Sequence, residues 1–159
     1  MIKEVNGDIL FSTAQAVAHG VAPNDHFNSG LALSLREAFP AMYKDFRQYC
    51  FKAHPKPGEV WFWRGAGQKV INLLTQEPPQ NGNDHPGKAS IVFVNHALRE
   101  LVKLIEKERL ESIAIPRLAT GVGGLDWDEV RPVIYHFLEP LKTRVYLYAQ
   151  FSKGVKAVE

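Results

Sequence analysis

The sequence has a single cysteine, Cys50, and that scarcity excludes an internal disulfide framework and any cysteine-rich zinc site. A reducing compartment is the simplest setting for such a chain, so a cytoplasmic protein is expected. No apolar run approaches the ~18 residues that span a bilayer. Met1 to Asp8 lack the apolar stretch of a signal peptide. Charge of one sign is missing too: 19 basic and 17 acidic residues leave a net charge of +2. That balance permits a local basic patch and gives no support to a nucleic-acid scaffold. The histidines at 19, 26, 54, 85, 96 and 136 are scattered without an H-x-x-x-H pair, so neither a metal site nor a metal cofactor is expected. Internal repeats and low-complexity tracts are absent as well.

What remains is the composition of a globular protein, 45% hydrophobic and 23% charged over 159 residues. That length suits one domain with a proper core. The expected domain covers residues 1–151, followed by a polar tail, 152–159.

The chain is punctuated throughout. Asn6-Gly7-Asp8 marks a turn after the strand-like Ile2–Val5. Ile9-Leu10-Phe11 reads as an early strand and Gln15–Val21 as a buried one. A long polar loop from His19 to Gly30 then leaves the strand's C-terminal end, where open α/β sheets bind ligands. Leu31, Leu35, Ala38 and Phe39 lie at helical spacing, predicting a helix from near Ser29 to before Pro40. A second helix is expected over Ala41–Phe51. Glu59–Arg64 and Lys69–Thr75 form a hairpin around Gly65-Ala66-Gly67, with Trp61, Phe62 and Trp63 as sheet and core residues. Glu77–Gly87, rich in proline, asparagine and glycine, reads as an exposed loop. Ser90 caps a long amphipathic helix to Arg109, with Ile91, Val94, Leu98, Leu101 and Ile105 on one face. The strand Ser112–Ile115 follows, then a helix with Val130, Ile134, Phe137, Leu138 and Leu141 inward, and a last strand, Arg144–Ala149. Strands alternating with helices predict an α/β fold, a three-layer α/β/α sandwich around a mixed, mostly parallel sheet.

The chemistry concentrates after Ile115. The strand breaks at Pro116, and Thr120-Gly121-Val122-Gly123-Gly124-Leu125 leads to a helix opened by Asp126-x-x-Glu129, a capping-box pattern. Such a loop leaves backbone N–H groups for an anion, and the helix dipole adds to the attraction. Glycine lets the backbone approach a phosphate closely. The spacing is neither a P-loop nor a Rossmann fingerprint. Three further groups would converge on a nucleotide-like ligand. Asp8 offers a carboxylate to an exocyclic amine. Asn28-Ser29-Gly30 opens a helix with a second set of amides. Tyr148 or Phe151 places a flat ring at the end of the last strand. The plainer readings are a turn carboxylate, a helix cap and a core tyrosine.

In this order the pieces resemble the macrodomain family. The resemblance rests on Val5–Leu10, Val17–Val21, Asn28–Ala32 with Phe39-Pro40, Ile113–Leu118, Thr120–Trp127 and Tyr148. It is strongest to the branch of the terminal ADP-ribose glycohydrolase and the antitoxin that reverses DNA ADP-ribosylation, with Gly123–Trp127 as its most specific part. The resemblance implies ADP-ribose, or ADP-ribosylated protein or nucleic acid, as ligand; apart from it, a monomer is expected, with the oligomeric state not given by the sequence. Asp8 would hold the adenine amine, Ile9 would line the base pocket and Tyr148 would stack on the base. Pro116 and Thr120–Leu125 would wrap the diphosphate, and Asn28–Leu31 would face the distal ribose. His19 lies near the site, where a hydrogen-bonded core histidine is the simpler reading than a catalytic one.

The catalytic groups that the resemblance implies are not all present. Hydrolases of this branch place a lysine just after the strand equivalent to Val70–Thr75; here it is Gln76, which hydrogen-bonds but cannot attack C1″. An aspartate of the diphosphate loop is replaced by Gly123, an asparagine after the early strand by Ala22, and a triple glycine by Asn28-Ser29-Gly30. The expectation is a module that binds ADP-ribose. The alternatives are an ADP-ribosyl hydrolase or ADP-ribose 1″-phosphatase using a substrate-positioned water, with Asn24, Asp25, His26 or Asn28 as polar help. A third is a domain for another nucleotide, or a structural one.

Overall fold

Hydrophobic residues that alternate along strands and recur along helices need two opposed surfaces to bury, and the sheet supplies both. The computed structural model describes residues 1–81 and 85–159; Gly82 and Asn83 of the expected exposed loop lie outside them. Its strands are β1 (Ile2–Gly7), β2 (Ala16–Val21), β3 (Val60–Arg64), β4 (Lys69–Leu74), β5 (Ser112–Pro116) and β6 (Arg144–Phe151). Its helices are α1 (Gly30–Ala38), α2 (Pro40–Ala53), α3 (Ile91–Glu108) and α4 (Trp127–Leu138).

The strands form one sheet in the order β1-β6-β5-β2-β4-β3. Among the described strands, β3 and β4 pair antiparallel as a hairpin and the other strand pairings are parallel. Ile113 and Ile115 of β5, with Val145 and Leu147 of β6, face the inner stripes of α3 and α4, including Leu98, Leu101, Val130 and Ile134. On the opposite face, Val21, Val70 and Leu74 meet Leu35, Met42 and Phe46 from α1 and α2. Beside that second layer, Val5, Ala114 and Tyr148 are covered by Ile9 and Ala157, with Leu31 of α1 packed against them. The three-layer α/β/α sandwich around a mixed, mostly parallel sheet is therefore the architecture observed.

Two local expectations are corrected. Ile9–Phe11 is a single 3-10 turn rather than a strand, because the Asp8 carboxylate accepts from Leu10 N–H and holds the chain in a tight bend. Asp126 does occupy the N-cap of α4, but its side chain makes no cap hydrogen bond, so the capping box is not formed. At α3 the cap is as expected, with Ser90 Oγ accepting from Val92 N–H at 3.2 Å. The hairpin aromatics are structural: Trp61 stacks on Tyr49, and Trp63 Nε1 donates to Asp45.

Candidate functional site

Parallel strands deliver their C-terminal ends to one edge of the sheet, and loops there form a crevice. A cleft of about 880 Å³ opens at that edge, floored by the ends of β1, β2, β5 and β6 and walled by the loops that follow them. That volume lies within the range that holds an organic ligand of nucleotide size.

One wall is the segment after β5. Pro116 and residues 117–123 line the cleft. Among the described residues, no protein group accepts from the backbone N–H of Thr120, Gly121, Val122 or Gly123. These are four consecutive cleft-lining residues whose amides have no protein acceptor among the described residues, the arrangement that favours an anion. Gly124 and Leu125 differ. Their N–H groups donate within the loop, to Gly121 O at 3.1 Å and Ala119 O at 3.0 Å, and neither residue lines the cleft. Tight packing makes the glycine at 123 necessary, since a Cβ there would lie 2.6 Å from Ala119 O and 2.8 Å from Ala89 Cβ.

The facing wall is the start of α1. Ser29, Gly30, Leu31 and Ala32 line the cleft, and the first amides of a helix have no partner within it. The Ser29 side chain makes no cap bond, so it does not consume those donors. Asn28 stands just outside the lining, where its side-chain oxygen accepts from Arg36 at 3.0 Å. Between the walls lies His19, 1% exposed. Its Nε2 meets Asn72 Oδ1 at 2.6 Å, its ring packs edge-on to Phe27, and its Nδ1 has no partner among the described residues. Burial pushes its pKa down to about 4, against the smaller opposing effect of the Asn72 bond. It is thus a neutral core histidine at the cleft floor. Asp25 also lines the cleft, and its two carboxylate oxygens accept from the Ala22 and Phe27 amides, which fixes the bend of the 22–30 loop.

At the end beside β1 and β6, Asp8 is 6% exposed. One carboxylate oxygen accepts from Leu10 N–H and the other from Gly154 N–H, each at 3.0 Å. A carboxylate has about four acceptor positions, so two remain for a ligand amine. Ile9 and Leu10 continue the wall. Of the two rings, Tyr148 is 5% exposed, with its hydroxyl on Glu159 at 2.7 Å, whereas Phe151 is 66% exposed. Both line the cleft, yet Phe151 is the ring with most of its surface open. Burial, with the Glu159 carboxylate second, pushes the Tyr148 hydroxyl pKa well up.

At the opposite end Gln76 lines the cleft, 5% exposed, with its amide donating to Gly87 O at 3.1 Å. The structure thus gathers Asp8, Ile9, His19, Ser29, Gly30, Leu31, Gln76, Pro116, Thr120, Gly121, Val122, Gly123, Tyr148 and Phe151 around one cavity. Asn28, Gly124 and Leu125 sit beside it. Sequence reasoning missed Arg117 and Lys153, which bring positive charge to the lining. Arg117 Nε donates to Ala149 O and its guanidinium lies over Trp127; its place directly after Pro116 was the available signal. Among the described residues no group of acidic, histidine or cysteine side chains is arranged to hold a metal. No helix among them is long and apolar enough to cross a membrane.

Known proteins resemble this chain in sequence and fold. Over 93% of its length the chain is 28% identical to a DNA ADP-ribosyl glycohydrolase of Thermus aquaticus, and it spans 41% of that protein. The chain therefore covers less than half of this curated relative. The solved macrodomain of Thermus aquaticus DarG superposes with a TM-score of 0.83 at 28% identity, covering 94% of this chain and 98% of that one. Thermosipho africanus DarTG, solved in complex with ADP-ribose, shares the fold at a TM-score of 0.81 and 22% identity, covering 98% of this chain and 42% of that one. The model of the Macro domain matches residues 14–134, and with cleft, loops and sheet order in place, the chain belongs to the Macro domain family.

Proposed function

We propose that this macrodomain binds ADP-ribose, free or attached to a protein or nucleic acid, with the diphosphate lying between the Thr120–Gly123 loop and the start of α1. The observation that carries the reading is the row of four cleft-lining residues, 120–123, whose amides have no protein partner among the described residues. A diphosphate satisfies them, and charge-assisted bonds of this kind are each stronger than neutral ones. Asp8 then receives the adenine amine on its free lone pairs, Phe151 and Tyr148 flank the base, and Gln76 and Ser29–Leu31 meet the distal ribose. The Thermosipho protein solved with ADP-ribose and the Thermus glycohydrolase support ADP-ribose as the ligand. The setting that fits a lone cysteine, Cys50, which is buried, is the cytoplasm, and the binding unit is a monomer.

Calorimetry with ADP-ribose and AMP tests the reading. A preference of several kcal/mol for ADP-ribose is expected when diphosphate and distal ribose are both held. Equal affinity for the two ligands would remove the distal-ribose half of the assignment.

A second reading is favoured by the glycohydrolase relative: hydrolysis of the ADP-ribosyl bond by a water that the bound diphosphate positions. Gln76 supplies no amine for covalent attack, and a Cβ at 123 clashes with Ala119 O, so that loop cannot take an aspartate without moving. Gln76→Lys is expected to raise release of ADP-ribose from ADP-ribosylated DNA above that of the parent protein, read by chromatography. No gain with binding intact would show that the pocket is not arranged for lysine chemistry.

A further inference from the structure

Segment 152–159 does not leave the sheet after β6 but folds back along the Asp8 end of the cleft. Val155 O accepts from Asp8 N–H at 2.7 Å, and Gly154 N–H donates to the Asp8 carboxylate at 3.0 Å. The approach is close enough that a Cβ on Gly7 would lie 2.8 Å from both Val155 O and Ala157 N. Ala157 is buried with Val5, Ile9 and Tyr148. The segment ends on Glu159, whose carboxylate gathers four donors: Ser12 Oγ at 2.5 Å, Thr13 N–H at 3.0 Å, Thr13 Oγ1 at 2.9 Å and Tyr148 OH at 2.7 Å.

Those donors come from both sides of the base site. Ser12 and Thr13 follow the 3-10 turn that Asp8 caps, and Tyr148 sits three residues before Phe151 on β6. We infer that Glu159 is a positioning residue for base recognition: it clasps segment 152–159 across the turn and β6, so that Gly154 fixes the rotamer of Asp8 and leaves its remaining lone pairs aimed into the cleft. Glu159 is not among the residues lining the cleft. Its action passes through Asp8, and it rests on the proposed recognition of adenine by that carboxylate.

Adenine and hypoxanthine differ at the atom Asp8 would meet, an amine donor in one and a carbonyl acceptor in the other. Binding of ADP-ribose and of inosine diphosphate ribose to the full chain therefore reports Asp8 directly. The parent protein is expected to favour ADP-ribose by roughly 100-fold, since a buried carboxylate facing a carbonyl is left unpaired. Glu159→Ala should lower ADP-ribose affinity about tenfold and leave the hypoxanthine ligand unchanged, narrowing the preference to about tenfold. Tyr148→Phe, which removes one hydroxyl donor, should narrow it by about threefold and carries the test if Glu159→Ala does not fold. Equal losses for both ligands, or an unaltered preference, would show a merely structural clasp and overturn the inference. A parent protein that binds ADP-ribose without preferring it over the hypoxanthine ligand, or binds neither, would overturn the adenine assignment itself, and the positioning role with it.

Discussion

The two walls of the cleft look alike as sequence and differ as structure. Each is a glycine-bearing turn that opens a helix, Asn28-Ser29-Gly30 before α1 and Thr120–Leu125 before α4. At α1 the helix start itself lines the cleft, so its orphan amides and its dipole both act on a ligand. At α4 the last two amides of the loop close onto Ala119 and Gly121, and the helix begins at Trp127, away from the lining. There the anion site is a loop of free amides, not a helix terminus. Asp128 and Glu129 in the first turn of α4 fit that division, since they meet the helix dipole's positive end where no phosphate lies.

The largest expected effect strikes the loop wall. Gly123→Val must move Ala119 or Ala89, because its Cβ starts within 2.8 Å of both. Moving Ala119 breaks the register of the four free amides. Loss of two charge-assisted bonds amounts to about 4 kcal/mol, a fall in ADP-ribose affinity of about a thousandfold. Titration calorimetry measures it, and tight binding by the variant would mean that the diphosphate does not use this wall.

Much of this was legible in the sequence and some was not, for physical reasons. Hydrophobic period placed α3, with Ser90 as its cap, and the β3–β4 hairpin was placed by two strand-like runs around Gly65-Ala66-Gly67, because burial on one face dictates the repeat. Ile9–Phe11 defeated it: three apolar residues read as a strand, while a single carboxylate, Asp8, bends them into a 3-10 turn. The glycine loop was visible as composition. Which of its amides are free depended on carbonyls brought within 3.1 Å by the closed loop, and no sequence spacing states that. Segment 152–159 reads as polar, yet Ala157 and Glu159 tie it to β1 and β6. Contacts between residues 8 and 154 leave no local pattern.

His19 stands on β2, under both walls, and sets the second effect. Burial lowers its pKa from 6.5 to about 4, so the native state stays neutral where the unfolded chain is protonated. Between pH 6.5 and 4 the unfolded state binds the extra proton, and stability falls as pH falls. The loss reaches about 3 kcal/mol at pH 4. Urea midpoints across that range should decline more steeply for the parent protein than for His19→Gln. Parallel curves would mean that His19 titrates normally and that the floor is open to water.

The smallest effect separates the walls themselves. Gly30 and Gly124 both hold positive φ, 59° and 77°, and neither has an atom within 4 Å of a would-be Cβ. Alanine at either site thus meets strain without a clash, about 1 kcal/mol from the left-handed backbone. Both variants should lose a similar 2–4 °C in melting temperature. Their ligand affinities should part. Relief of strain at Gly30 turns the amides that open α1, and ADP-ribose affinity should drop about fivefold. At Gly124 the nearest amides are already bonded within the loop, so the change should stay under about twofold. Equal losses in the two variants would return the start of α4 to the binding site and erase the distinction between a helix terminus and a loop of free amides.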